Sequence, residues 1–304
     1  MPRSGAVRSG ARSTVVRMRR VVIGILGLAL GLGIGATGFR VAPALDARWQ
    51  TVDAAHGTTV IDRLTWNERA PLLFVPESVT RDPVAAATLV VVLPGLGGIG
   101  RDLAQEFVAA AEADRWLLLA PSPDYDPKDA NESLQAADLR VDNQIVALVD
   151  QVVARPSLHV APAIDIIGFS RGAQSAHRFA LRHPDRVGAL ASFAAGTYTM
   201  PTSPQPYPLG VGNFELWNHL RPFDPAALQG VRVLVGVGTA DANPADVVRE
   251  WDSVGGTTRL ERGSRFAQAL QQLNVPSRFQ TYPGVGHAFT PAMRADTIAW
   301  FLDD

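Results

Sequence analysis

From about residue 46 onward, short apolar runs alternate with longer segments of helical periodicity. The apolar runs are rich in Val, Ile and Leu at successive positions, a pattern typical of strands that are buried on both faces. Six such runs predict strands: TLVVVLPG (88–95), WLLLAP (116–121), IDIIGF (164–169), VGALASFAAG (187–196), VRVLVGVG (231–238) and SRFQTYPG (277–284). Three earlier runs have no helical segment between them and fit an antiparallel start to the same sheet: RWQTVD, TTVIDRL and PLLFVP.

Helical periodicity occupies most of the intervals between the strands. Five segments predict helices: 101–114, 134–155, 171–183, 261–273 and 291–302. Strands that alternate with helices favour right-handed crossovers and a mainly parallel sheet. The sequence therefore predicts an α/β fold in which helices flank a mostly parallel central sheet.

The segment 198–229 breaks this alternation because it is rich in proline. Proline removes a backbone donor and fixes φ, so no long helix is expected here. We predict that this segment is a meandering loop over one face of the sheet. It would cover a cleft at that face without forming a helical lid. The six prolines are Pro201, Pro204, Pro206, Pro208, Pro222 and Pro225.

The first 45 residues differ in character from the rest. Residues 1–20 contain six arginines and no acidic residue, and the stretch from Val21 to Phe39 carries no charge. Arginines followed by an apolar run are typical of a signal peptide or an N-terminal membrane anchor. We expect residues 21–39 to contact the membrane if they are not cleaved, and the domain at 46–304 to lie outside the cytoplasm. Ala42–Pro43–Ala44 is a passable cleavage site.

Composition narrows the chemistry. The 304-residue chain has a formal net charge of −1, which gives no reason to expect a nucleic-acid partner. It has no cysteine, which excludes disulfides, thiolate metal sites and a cysteine nucleophile. No two of its six histidines have zinc-motif spacing, and GLGGIG at 95–100 lacks the lysine of a phosphate-binding loop. We expect neither a metal nor a cofactor.

The pentapeptide Gly168-Phe169-Ser170-Arg171-Gly172 fits G-x-S-x-G and lies between a predicted strand and a predicted helix. In that context a sharp turn holds the serine away from the backbone as a nucleophile, and small neighbours avoid clashes. The alternative is a helix N-cap serine. That alternative does not explain a glycine two residues away on either side.

A serine hydroxyl needs a base and an acid to act as a nucleophile. In this architecture the chain order is serine, acid, histidine. Asp241 follows the strand VRVLVGVG and His287 follows SRFQTYPG, so both should leave the same edge of the sheet as Ser170. Asp246 is a competing acid further along the chain. A tetrahedral intermediate also needs backbone donors, for which the N–H groups of Arg171 and Leu96 are the candidates.

The chain from about residue 70 to 304 resembles the serine esterases of the α/β-hydrolase superfamily. GFSRGAQSAHRFALRHPDRV, with FAAGTYT after it, resembles bacterial polyhydroxyalkanoate-depolymerase-like and dienelactone-hydrolase-like esterases. The resemblance implies Ser170, Asp241 and His287 as a triad, with Leu96 and Arg171 as oxyanion donors. One departure is that many relatives carry His-Gly where this chain has Pro94-Gly95.

Other residues have plainer interpretations. We expect His177 and His183 on the exposed surface of the helix after Ser170. Tyr198, Phe214 and Trp217 either line a substrate pocket or attach the proline-rich segment to the core. Asp124 and Tyr125 follow a strand end and are candidates for the border of the cleft.

The sequence therefore predicts an exported or membrane-anchored carboxylic ester hydrolase acting on a small-molecule or polymeric ester. An amidase or peptidase with the same triad, and a non-catalytic binding protein with this fold, are the alternatives.

Overall fold

The computed structural model describes residues 48–52, 69–128 and 132–303. Over these residues eight strands form one sheet in the order β1-β2-β4-β3-β5-β6-β7-β8. The strands are β1 (Trp49–Thr51), β2 (Leu72–Phe74), β3 (Thr88–Leu93), β4 (Trp116–Ala120), β5 (Ile164–Phe169), β6 (Val187–Phe193), β7 (Arg232–Gly238) and β8 (Ser277–Tyr282). The six predicted buried strands are all present.

Most neighbouring strands run parallel. From β4 through β3, β5, β6 and β7 to β8 every pair is parallel, whereas β1–β2 and β2–β4 are antiparallel. The predictions of a mainly parallel sheet and of an antiparallel start are confirmed. The predicted run TTVIDRL lies outside the described residues.

Helices cover both faces of this sheet. They are α1 (Glu77–Arg81), α2 (Gly100–Ala104), α3 (Val108–Asp114), α4 (Leu134–Val153), α5 (Arg171–Arg182), α6 (Pro225–Leu228), α7 (Asp252–Gly255), α8 (Arg259–Gln272) and α9 (Pro291–Leu302). The helix predicted over 101–114 is divided by a short 3₁₀ turn at Gln105–Phe107. The other predicted helices have bounds within two residues of those observed.

Alternate side chains of each central strand enter two separate apolar layers. In β3, Leu89 and Val91 pack with Ile145 of α4 and Phe179 of α5. Val90 belongs to the opposite layer, together with side chains of α2, α3 and α9. Successive strand residues point to opposite faces, so continuous apolar runs are required when helices cover both sides.

The segment 198–229 has little regular structure, as predicted. It contains a 3₁₀ turn at Phe214–Trp217 and the four-residue helix α6. Tyr198 and Phe214 are buried in the apolar layer beside α5, and Trp217 packs against that layer. These three aromatic residues therefore attach the segment to the core.

His177 and His183 are buried, so the prediction that they lie on the surface is wrong. The Nε2 of His177 accepts a hydrogen bond from the Thr199 N–H at 3.0 Å, and His183 Nε2 lies 2.9 Å from a carboxylate oxygen of Asp142. Burial lowers the pKa of His177 well below its usual value. The reason is that α4 and the proline-rich segment cover a helix surface that isolated periodicity assigns to solvent.

No helix within the described ranges is long and apolar enough to cross a bilayer. The apolar stretch 21–39 lies outside those ranges.

Asp165 of β5 is a buried acid in the centre of the sheet, with only 6 % of its surface exposed. Burial raises the pKa of Asp165 to about 7, although Arg232 and the Ala189 N–H act in the opposite direction. The folded pKa therefore lies above the unfolded pKa of about 3.9. The group costs nothing below about pH 4, destabilises the fold increasingly up to about pH 7, and has a constant effect above that.

We predict that Asp165→Asn stabilises the protein more at pH 8 than at pH 5. Asparagine cannot ionise, while its amide oxygen can still accept the Ala189 N–H. Three pKa units correspond to at most about 4 kcal/mol in the free energy of unfolding. Urea unfolding at both pH values measures the gap between variant and wild type. A gap that does not widen towards pH 8 contradicts the prediction, and Asp150→Asn, at an exposed ion pair with Arg186, serves as the control.

Candidate active site

Three polar side chains leave the same edge of the sheet. Ser170 follows β5, Asp241 follows β7, and His287 follows β8. The Ala240 N–H donates to the carbonyl of Val285 at 2.9 Å, which ties the loops after β7 and β8 together. Carboxyl ends of parallel strands meet at one edge, so the sheet topology alone brings these segments together.

Ser170 has a backbone conformation that non-glycine residues rarely adopt. Its φ is 55° and its ψ is −117°. Such a conformation costs on the order of 1–3 kcal/mol and persists only where the surroundings enforce it. The Ser170 N–H donates to the carbonyl of Phe193 at 2.8 Å, and the hydroxyl makes no helix-capping bond. Ser170 therefore occupies the N-cap position of α5, but its hydroxyl does not cap the helix.

The glycines on either side of Ser170 are required by close backbone approach. A Cβ on Gly172 would lie 2.2 Å from the carbonyl oxygen of Leu93 and 2.4 Å from that of Pro94. A Cβ on Gly168 would lie 2.4 Å from the carbonyl oxygen of Gly172. Real Cβ atoms essentially never approach other atoms so closely. Only glycine at both positions lets α5 start directly against the ends of β3 and β5.

The three side chains form one hydrogen-bonded chain. His287 Nε2 lies 2.8 Å from Ser170 Oγ, and His287 Nδ1 lies 2.7 Å from Asp241 Oδ2. The His287 ring stacks on Phe169, with centroids 5.0 Å apart. A histidine held in this way can take the proton of a serine hydroxyl, and a carboxylate on Nδ1 selects the tautomer with a free Nε2.

Asp241 remains ionised in a buried position. Its side chain is 1 % exposed, and its other oxygen accepts a hydrogen bond from Arg259 Nη1 at 2.8 Å. Burial by itself opposes ionisation, but the His287 hydrogen bond and the Arg259 guanidinium together hold the pKa of Asp241 below its usual range. The carboxylate on His287 is thus that of Asp241, whereas the carboxylate of Asp246 accepts from Asn243.

Arg259 was not predicted as a site residue. It is the first residue of α8, where the positive end of the helix dipole disfavours a cation. Its Nη2 also donates to the Asp246 carbonyl at 2.9 Å. A cation at a helix start is the signal that could have identified it, because such a charge requires a compensating partner.

Leu96 and Arg171 line the same cavity as Ser170. Leu96 belongs to a turn closed by a hydrogen bond of 3.0 Å from the Gly98 N–H to the Gly95 carbonyl. Arg171 is the first residue of α5, so its N–H has no partner within the helix. In the described part of the chain, the Leu96 N–H also has no hydrogen-bond acceptor. Both backbone donors are therefore available to a negatively charged oxygen.

Tyr125 hydrogen-bonds to Pro94, the residue that precedes this turn. It is buried, and its hydroxyl donates to the Pro94 carbonyl at 2.8 Å. The Arg171 guanidinium lies over the Tyr125 ring, 5.4 Å from its centroid. Burial raises the pKa of Tyr125, so the hydroxyl keeps the proton that it donates. Asp124 is exposed, and its carbonyl accepts a hydrogen bond from Arg140.

A cavity of about 300 Å³ opens beside Ser170. It is lined by residues that follow β3, β5, β6 and β7 and by the start of α4: Leu96, Leu134, Asp138, Ser170, Arg171, Gln174, Arg178, Gly196, Thr197, Pro208, Asp246, Val247, Val248, Trp251 and Arg259. Of the proline-rich segment only Pro208 takes part. Within the described ranges, no cluster of three or more His, Asp or Glu side chains has a geometry that could hold a metal ion.

We predict that Gly172→Ala destabilises the fold by about 3 kcal/mol or more, because the new methyl group meets two backbone carbonyls that cannot rotate away. Gly286→Ala is the matched control, since a Cβ there meets no atom within 4 Å. Urea unfolding of both variants measures the difference. Equal stability of the two variants contradicts the steric argument.

No protein-family model matches this chain, and no curated protein matches its sequence. Solved structures match at the level of fold. A poly(aspartic acid) hydrolase-1 from Sphingomonas sp. KT-1 is similar with a TM-score of 0.55 and 21 % identity, over 78 % of this chain and 95 % of that one. TT1662 from Thermus thermophilus gives 0.51 and 21 %, over 79 % and 95 %. A carboxylesterase from Mesorhizobium loti gives 0.50 and 17 %, over 79 % and 97 %. With the sheet order and the turn at Ser170, these similarities show that the chain has an α/β-hydrolase fold.

Proposed function

We propose that the protein is a serine hydrolase that cleaves carboxylic esters through an acyl-enzyme. The observation that carries the proposal is the hydrogen-bonded chain from Ser170 through His287 to Asp241, with the serine held at a positive φ. A buried carboxylate, a histidine and a strained serine in this order have no evident structural purpose. The strain at Ser170 and the burial of Asp241 both oppose folding.

The reaction follows from the atoms present. Ser170 Oγ attacks the ester carbonyl carbon while His287 Nε2 takes the hydroxyl proton, and the carbonyl oxygen becomes an oxyanion. The intermediate collapses, the C–O bond to the alcohol breaks, and His287 returns the proton to the departing alcohol. Water then attacks the acyl-enzyme with His287 again as base, which releases the carboxylic acid and regenerates Ser170.

Two charges change during this cycle, and the site has a partner for each. The imidazolium that forms on His287 faces the ionised Asp241, which Arg259 keeps in the charged form. The oxyanion is assigned to the backbone N–H groups of Leu96 and Arg171, which are free to donate. Preorganised donors of this kind are worth about 2.7–4 kcal/mol each in the transition state.

The N-terminal segment gives a proposal about location. We propose that the enzyme is exported, either released after cleavage or anchored through residues 21–39, because arginines precede an uncharged apolar run there. Protease accessibility of the hydrolase domain in intact cells tests this. Protection equal to that of a cytoplasmic marker contradicts it.

Ser170→Ala should lower ester hydrolysis by about 10⁶-fold in kcat, the scale of loss in serine protease triads. Folding should persist because only a hydroxyl is removed. The matched control is Ser175→Ala, one turn further along α5, where the hydroxyl has no partner among the described residues. A fluorophosphonate probe should label Ser170 in the wild type and in the control but not in Ser170→Ala. Retention of a tenth of the activity by Ser170→Ala rules out the nucleophile, and failure to label supports a non-catalytic binding protein.

Asp241→Asn should cost about 10⁴-fold in kcat, because the amide no longer selects the productive tautomer of His287. Asp246→Asn should cost less than about tenfold. Both variants keep the size of the side chain, so the comparison isolates the charge that faces His287. The reverse order of losses would show that the acid is wrongly assigned.

Tyr125→Phe should lower kcat by about 3- to 10-fold and leave KM nearly unchanged, as expected for the loss of one buried hydrogen bond that positions an oxyanion donor. Tyr198→Phe is the control, because its buried hydroxyl faces Ser192 and not the turn at Pro94. A rise in KM with kcat unchanged indicates instead that Tyr125 acts in substrate binding.

An amidase or peptidase would use the same residues in the same roles. Parallel assays with a p-nitrophenyl ester and the matching p-nitroanilide separate the two activities. A faster reaction with the anilide would overturn the ester assignment and leave the nucleophile in place.

A further inference from the structure

The mouth of the cavity beside Ser170 is apolar and exposed. Leu96, Leu134 and Val248 are 62 %, 59 % and 51 % exposed. A single exposed apolar side chain is ordinary on a protein surface, but exposed apolar side chains gathered at one place mark a binding site. These three come from separate segments of the chain and all line the same cavity. Pro208 and the buried Trp251 add further apolar surface to the lining of this cavity.

Arginines also line the cavity, but their N–H groups already donate hydrogen bonds to other residues of the protein. Asp138 accepts hydrogen bonds from Arg171 and Arg178, both at 2.6 Å. Arg178 donates further to the hydroxyls of Thr197 and Thr199. Burial alone raises the pKa of Asp138, but Arg178 and Arg171 hold it below its usual value, so the carboxylate stays charged and offsets one of these two positive charges.

Arg259, the third arginine that lines the cavity, also donates to the protein itself. Arg259 donates to the Asp241 carboxylate and to the Asp246 carbonyl, and its buried Nε faces no solvent. The Asp246 carboxylate adds a negative charge to the same cavity. Arg171 also donates from Nη1 to Gln174, so both Nη atoms of each of the three arginines already donate to the protein.

The cavity beside Ser170 does not extend to His287. The departing alcohol must reach His287 Nε2 to receive its proton, and His287 does not line this cavity. A second cavity of about 400 Å³ is lined by Phe169, whose ring stacks on His287, and by Phe289. An alcohol that leaves towards His287 would lie on the side of Phe169, and the acyl chain would then occupy the cavity with the apolar mouth.

On the basis of the proposed ester hydrolysis, we infer that this cavity selects uncharged, apolar acyl chains and rejects acyl chains that end in a carboxylate. The chain lies along Leu134 and Val248. A terminal carboxylate loses water there and finds no cation in exchange, which is unfavourable.

The test compares three p-nitrophenyl esters with the same leaving group: the acetate, the hexanoate and the monoester of adipic acid. Hexanoate and adipate chains have six carbons and differ only in a terminal methyl or carboxylate group. We expect kcat/KM for the hexanoate to exceed that for the acetate by about 16-fold, since each of the four additional, partly buried methylenes contributes about a twofold gain. The adipate monoester should be at least tenfold slower than the hexanoate.

Leu134→Ser and Val248→Ser locate the effect. Each should lower the hexanoate-to-acetate ratio of kcat/KM by about threefold, a ratio that compares two substrates on the same variant. Leu216→Ser is the matched control, because Leu216 is 63 % exposed but does not line this cavity. Its ratio should equal that of the wild type.

The outcomes separate this inference from the proposed function. If the acetate is hydrolysed and Ser170 is labelled, but the adipate monoester is as good as the hexanoate, the function stands and the inference is overturned. A hexanoate preference that survives in both serine variants also overturns the inference. If no ester is hydrolysed and no label attaches to Ser170, the proposed function fails and the inference fails with it.

Discussion

The close contact between the start of α5 and the ends of β3 and β5 is the constraint on which the site depends. Gly172 lies against the carbonyls of Leu93 and Pro94, and Gly168 lies against Gly172 itself. Because the backbone is packed this tightly, Ser170 connects β5 to α5 with a positive φ. In this strained conformation the Ser170 hydroxyl makes no helix-capping bond and lies beside His287. A looser turn would relieve the strain and let the hydroxyl cap α5.

Buried charge is the second constraint, and it links the site to the fold. Asp241 and Asp138 are both buried, and both carboxyl groups have a lowered pKa: the His287 hydrogen bond and Arg259 outweigh burial at Asp241, and Arg178 and Arg171 outweigh it at Asp138. Breaking a buried pair by removing one partner costs about 3–5 kcal/mol, so these arginines are held in place. The arginines near Ser170 therefore serve the protein's own carboxylates. A cavity with three guanidinium groups is in this way close to electrically neutral.

Much of this arrangement could be predicted from the sequence because it depends on local patterns. Continuous apolar runs identify the buried strands, and strand ends place Ser170, Asp241 and His287 on one edge. The burial of His177 and His183 could not be predicted, because it depends on which segments cover α5. Arg259 and Tyr125 were missed as partners for a similar reason. They act on Asp241 and on Pro94, 18 and 31 residues away in the chain. The position of Arg259 at a helix start indicates that it needs a partner, but the sequence alone does not identify that partner.

The unusual Pro94 shows how such long-range contacts can replace a missing local one. A histidine at this position could hydrogen-bond through its ring, whereas proline has neither a polar side chain nor an N–H. Proline instead fixes φ, which restricts the turn before any contact forms. The Pro94 carbonyl remains free to accept, and Tyr125, from the segment after β4, donates to it. The guanidinium of Arg171 lies over the ring of the same tyrosine. The buried Tyr125 therefore contacts both Pro94 and the first residue of α5. Tyr125 thus links the two segments that carry the candidate oxyanion donors, Leu96 and Arg171.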